Sequence, residues 1–227
     1  MKLLKEIENH ITNFNKNNQI ELNIDTIRID FRKEYKLAKL KGLGDWKKID
    51  KKDRRILDKL KRRLAEDEVT SAYQLENHNI YFYNSRKKDY KTATMVIFGL
   101  KQYHKEPIPH QIVSNIISIL KDISNIDLCF DMRVKPNLEE LHKYFNLERY
   151  KSEDTYYINQ TNIPMLDKVV IYNKAIKNNL KGVLWRIEAL ISIPNIKYLA
   201  LPLDEFKDII EISISYDDKR IRLKDTV

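Results

Sequence analysis

Apolar residues at Leu3, Leu4, Ile7, Ile11 and Phe14 recur at helical spacing, which predicts an amphipathic helix over 3–16. The pattern then changes period. In 20–32 Ile20, Leu22 and Ile24 alternate with polar residues, and Ile27, Ile29 and Phe31 resume the alternation out of phase, which predicts a strand bent or bulged at Asp25 and Thr26. Charge dominates 33–68, where Gly42, Gly44 and Asp45 mark a turn and Ile56, Leu57, Leu60 and Leu64 predict a helix over 50–68. Two strands are expected in SAYQLENHNIYFYN and TATMVIFGL, and prolines 107 and 109 precede a helix over 110–122.

The second half continues with a strand over 125–133, a short helix over 136–146 opened by Pro136 and Asn137, and strands in TYYIN, KVVIYNKAI and VLWRIEALI. A helix over 203–211 and a closing hairpin in ISISYDDKRIRL, turning at Asp217 and Asp218, complete the reading. Strands interleaved with few helices predict an α+β fold, an antiparallel β-sheet with helices packed on one face. The chain reads as one domain over 1–227, with a division into two pseudo-repeated halves at about 1–123 and 124–227.

Alternation also sorts the polar residues within these strands. Side chains two apart share a face, so Asp127, Cys129 and Asp131 fall together in 125–133, opposite Ile126, Leu128 and Phe130. Tyr172 pairs with Lys174 in the same way, and Arg186 with Glu188 opposite Trp185 and Ile187. Solvent faces of a sheet explain any one such pair. Three strands presenting two acids, a phenol beside an ammonium and a guanidinium beside an acid supply the parts of a phosphodiester transfer.

Composition narrows the partner. Against 33 Asp+Glu stand 42 Lys+Arg, a formal charge of +9 that suits a polyanion such as DNA. The densest basic tracts hold Lys51, Lys52, Arg54, Arg55, Arg62 and Arg63 on the 50–68 helix, and Arg86, Lys87 and Lys88 in a turn. These side chains would contact phosphates without reading bases. A single cysteine, Cys129, leaves neither a disulfide within the chain nor a multi-cysteine zinc site. No signal peptide or membrane span is visible, so a cytoplasmic location without a membrane partner is expected. No glycine-rich phosphate loop is present, which argues against a nucleotide-driven motor.

The chemistry these residues can perform is specific. Carboxylates such as Asp127 and Glu188 could hold a hard divalent cation that polarises the phosphodiester. A tyrosine can attack phosphorus and keep the cut strand as an ester, with Lys174 lowering its pKa or binding phosphate and Arg186 clamping phosphate oxygens. Tyr81, Tyr83, Tyr156 and Tyr157 are the alternative nucleophiles.

In order and spacing, Ile126-Asp127, Val169-Val170-Ile171-Tyr172-Asn173-Lys174 and Trp185-Arg186-Ile187-Glu188-Ala189 resemble the rolling-circle replication initiators, both the filamentous-phage gene II type and the trans-acting plasmid Rep type, which are HUH-like endonucleases. As in the phage type, Tyr198-Leu199, Leu201-Pro202-Leu203 and Asp204-Glu205-Phe206 follow in turn, and as in the plasmid type the strand Thr155-Tyr156-Tyr157-Ile158-Asn159 precedes. The resemblance covers about residues 125–210. It implies Tyr172 as nucleophile, Asp127 and Glu188 as ligands of Mg²⁺ or Mn²⁺, and Lys174 and Arg186 as accompanying basic residues. A third ligand stays open among Asp131, His104 and Asp30, with Asp131 taken beside Asp127 and Glu188.

The implied activity is nicking and rejoining of one strand at a single-stranded or extruded origin, with a homodimer and a host helicase as expected partners. Two other readings stand beside it: a non-catalytic DNA-binding protein of a mobile element, and a relaxase or transposase of the same chemistry. The histidine-hydrophobe-histidine motif of the wider HUH class is absent, because His10, His78, His104, His110 and His142 are isolated.

Overall fold

The computed structural model describes residues 2–61, 68–76, 78–86, 89, 91–101, 106–150 and 154–215. The chain divides into two compact units, one of Met1–Lys5 with Thr26–Ser124 and the other of Glu6–Asp25 with Asn125–Val227. Mixed helix and antiparallel sheet make up both, as the alternation predicted.

In the first unit the main elements are β1 (Asn23–Arg32, whose first residues belong to the second unit), α2 (Lys36–Lys41), β2 (Trp46–Lys48), α3 (Arg54–Lys61), β3 (Val69–Leu75), β4 (Ile80–Ser85), β5 (Thr92–Phe98) and α4 (His110–Leu120). Its strands hydrogen-bond in the order β2-β3-β4-β5-β1. The helix α1 (Lys2–Asn18) begins the chain and buries Leu4, Ile7 and Ile11, three of the residues whose spacing predicted it.

The second unit holds β6 (Asn125–Met132), α5 (Leu138–Tyr144), β7 (Leu147–Arg149), β8 (Thr155–Ile158), β9 (Leu166–Asn173), α6 (Lys174–Asn178), β10 (Trp185–Ser192) and α7 (Ala200–Ile214). Its strand order is β6-β10-β9-β8-β7. Ile126, Leu128, Phe130, Ile171, Ile187, Ala189 and Ile191 are fully buried, and α7 lies against β9 and β10 with Leu203, Phe206, Ile209 and Ile210 buried.

Several expectations change. In the strand over 20–32, β1 pairs with β5 in unbroken register from Thr26↔Phe98 to Arg32↔Thr92, and the polar residues Asp25 and Thr26 are both buried. SAYQLENHNIYFYN is a hairpin, β3 and β4, turning where Glu76 takes φ 46°, rather than one strand. The charge-rich tract contributes the short α2 and β2 before α3, and residues 62–67 lie outside the described set. KVVIYNKAI is a strand only as far as Asn173. The Asn173 side chain accepts from Ile176 N and caps α6, so Lys174 opens a helix. Ile212, Ser213 and Ile214, expected in a hairpin, extend α7, because Ile209, Ile210, Ser213 and Ile214 keep its inner stripe buried; residues 216–227 lie outside the described set.

Candidate active site on the β6, β9 and β10 face

Directly opposed residues of an antiparallel pair point to the same face. On β6 and β10 the register sets Asp131 opposite Arg186 and Cys129 opposite Glu188, and on β9 and β10 it sets Tyr172 opposite Arg186. Asp131, Arg186 and Tyr172 therefore form one row across three strands, with Glu188 one step along. The apolar residues Trp185 and Ile187 point the other way and are buried.

Arg186 is the centre of the row. Its Nε donates to Asp131 Oδ1 and its NH2 to Asp131 Oδ2, both at 2.6 Å, and its NH1 donates to Asp25 Oδ1 at 2.7 Å. Glu188 Oε1 stands 3.6 Å from the same NH1. Burial would lower the Arg186 pKa, but the hydrogen bonds and charge of Asp131 outweigh it and hold the guanidinium above its ordinary value. Asp25 is pushed up, first by burial and then by the charge of Glu188, with Arg186 pulling the other way.

Tyr172 donates its hydroxyl hydrogen to Glu188 Oε1 at 2.6 Å. At 5 % exposure it is nearly enclosed. Burial first, and the Glu188 charge second, push its pKa well above the usual phenol value, so at neutral pH the proton is present and shared with a carboxylate. Such a short charge-assisted contact is the geometry from which a phenol can pass its proton as it attacks.

The remaining predicted residues fall differently. Lys174 is 3 % exposed, and burial, then the Arg186 charge, lower its pKa. Lys177, one turn on in α6, is exposed and holds Nζ 4.0 Å from the centre of the Tyr172 ring. Asp127 is buried on the same face, two residues from Cys129 and opposite Leu190. Cys129 is buried and its thiol pushed well up by that burial, which leaves it protonated.

Among the described residues no group of three or more His, Cys, Asp or Glu side chains is placed to hold a metal ion. The reason lies in the donors. Asp131 gives both oxygens to Arg186, one Glu188 oxygen takes the Tyr172 hydroxyl, and a guanidinium stands where the carboxylates meet. Asp131 and Glu188 thus do not offer a divalent cation a shared site as they are arranged. Of the other ligand candidates, Asp30 accepts from Thr94 Oγ1 at 2.7 Å in the first unit, and His104 lies outside the described residues.

Of the expected DNA contacts, Lys51, Lys52, Arg54 and Arg55 are exposed at and before the start of α3, and Arg86 is exposed beside Glu68 at 2.8 Å. Arg62, Arg63, Lys87 and Lys88 lie outside the described residues. Two residues of the site escaped the sequence reading. Asp25 left a trace in the phase change that suggested a bulge, and Lys177 left one in the Asn173 cap that starts a helix after Tyr172.

No family model matches the chain, and no curated protein does. Among solved structures the chain is similar to a rolling circle replication initiator protein from Geobacillus stearothermophilus, with 11% sequence identity and a TM-score of 0.43 over 91% of this chain and 91% of that one. No helix among the described residues is long and apolar enough to cross a membrane.

Proposed function

We propose that this chain is a rolling-circle replication initiator that nicks one DNA strand through Tyr172 and can rejoin it. The observation that carries the reading is the 2.6 Å hydrogen bond from the Tyr172 hydroxyl to Glu188, on the strands whose motifs resemble that family. As the phenol oxygen attacks phosphorus, its proton passes to Glu188 and the bond to the 3′ oxygen breaks. The 3′ oxygen leaves as a hydroxyl, taking a proton from water. The strand is held as a phosphotyrosine ester, and attack by a 3′ hydroxyl reverses the step. Arg186, with its fork on Asp131 and Asp25, holds the two acids and the neighbouring Glu188 in place; Lys174 adds positive charge behind the tyrosine.

Mg²⁺ or Mn²⁺ remains an expectation of the resemblance, and the steps above use protein groups alone. The expected partner is origin DNA, single-stranded or extruded, with homodimer formation and helicase recruitment as further expectations. The test is incubation with single-stranded oligonucleotides, with and without Mg²⁺ or Mn²⁺, followed by denaturing electrophoresis. The wild type should form a covalent protein–DNA species, and Tyr172→Phe should form none while still binding DNA. Salt-sensitive binding without cleavage of any oligonucleotide, under either metal, would replace this reading with that of a non-catalytic DNA-binding protein, which the exposed Lys51, Lys52, Arg54 and Arg55 would serve.

A further inference from the structure

Beyond the tyrosine, the same face continues across β9 onto β8. Lys168, Val170 and Tyr172 alternate on it, and the register sets Tyr157 opposite Val170. Lys168 Nζ lies 4.0 Å from the centre of the Tyr157 ring, and Tyr150 meets that ring edge-on with 6.0 Å between centroids. Tyr150 is 44% exposed, and Tyr157 and Lys168 are half-buried. At the other end stands the exposed Lys177 over Tyr172. Four residues of strand separate Tyr172 from Lys168, about 13 Å at roughly 3.3 Å per residue. Cation and ring thus alternate over a length that a few extended nucleotides would cover.

We infer that this strip is the seat of the single-stranded substrate: a base stacks on Tyr157, with Tyr150 standing edge-on beside it, while Lys168 and Lys177 take phosphates on either side of the one that Tyr172 attacks. Rings provide stacking surface to any base and ammonium groups track the backbone, the combination that holds single strands without reading sequence. The inference rests on the nicking role of Tyr172 for the position of the scissile phosphate. It assigns phosphate contact to Lys177 rather than to the buried Lys174.

The test is fluorescence anisotropy of a labelled oligothymidylate titrated with the full chain carrying Tyr172→Phe, so that no cleavage intervenes. Adding Tyr157→Ala should weaken binding by about 5- to 150-fold, the usual effect of removing one stacking ring, while Tyr157→Phe should bind like its parent. Lys168→Ala and Lys177→Ala should each reduce the slope of log affinity against log salt by about 0.7. Thermal unfolding of each variant checks that it folds, and the two lysine variants carry the test should Tyr157→Ala not fold. Unchanged affinity and slopes overturn the inference, and a wild-type covalent adduct in that case leaves nicking intact. Weakened binding with no adduct from any oligonucleotide supports the strip and removes the nicking reading. Dissociation of a dimer by Tyr157→Ala in sedimentation, with anisotropy unchanged, would make the strip a protein interface and overturn the inference.

Discussion

The two units repeat one strand order, and they set different side chains at matching positions. In each, the fifth strand lies between the first and the fourth, and a helix links the first strand to the second. A tyrosine of the fourth strand stands level with an aspartate of the first in both. In the second unit the row is Asp131, Arg186 and Tyr172; in the first it is Asp30, Thr94 and Tyr83. What differs is the inserted helix. The first unit places α3 between its second and third strands, and Leu60 closes a core with Ala72, Tyr81, Tyr83, Val96 and Phe98. The second places α6 between its fourth and fifth, which brings Lys177 over the tyrosine ring.

The consequence is visible in the direction of the phenol's hydrogen bonds. Tyr83 accepts from Arg28 NH1 at 3.3 Å inside an apolar cluster, whereas Tyr172 donates to Glu188 at 2.6 Å among charges. Burial raises both phenols. Tyr83 is part of an apolar core with the Asp30 charge acting on it, whereas the Tyr172 hydroxyl is hydrogen-bonded to a carboxylate directly.

The largest predicted effect separates the second unit's charged row from the first unit's row. Arg186→Met strands Asp131 and Asp25 in a buried setting and should cost about 3–5 kcal/mol in urea denaturation. Leu60→Ala opens a cavity over the first unit's row and should cost about 2–5 kcal/mol by the same measurement, without changing adduct formation per folded molecule. Tyr83→Phe removes the hydroxyl's hydrogen bonds with Arg28 and Thr94 and should cost about 0.5–1.5 kcal/mol for each, again leaving the adduct. An effect of Tyr83→Phe on the chemistry would break the division of labour between the units.

A smaller effect appears at alkaline pH. The folded Tyr172 pKa lies above the ordinary value of 10.0, so the folded protein keeps this proton where the unfolded chain releases it. The stability it contributes is whole below pH 10 and is lost as pH rises through the folded value. Wild type should therefore lose stability faster than Tyr172→Phe above about pH 10 in paired denaturation curves.

Much of this was legible in the sequence, and the failures have physical causes. Alternation placed Asp127 and Asp131, Tyr172, and Arg186 with Glu188 on their proper strands, because each strand buries an apolar face that fixes its phase. It misplaced Lys174, since nothing in alternation records that the Asn173 side chain caps a helix. It saw only a bend or bulge at Asp25 and Thr26, because a carboxylate buried on a guanidinium far along the chain looks, in one dimension, like broken periodicity. That Arg186 holds Asp131 and Asp25 left no mark in the sequence, because pairing across strands is a property of three dimensions only. The short α2 and β2 vanished into a charged tract whose pattern spans too few residues to show a period.

The claim that the second unit's tyrosine is the nucleophile is tested most directly by peptide mapping. The covalent complex formed with a single-stranded oligonucleotide is digested with protease and nuclease, and the modified peptide is sequenced by mass spectrometry. The nucleotide should be on Tyr172. Recovery of the nucleotide on Tyr83, Tyr81, Tyr156 or Tyr157, or of an intact adduct from Tyr172→Phe, would contradict it.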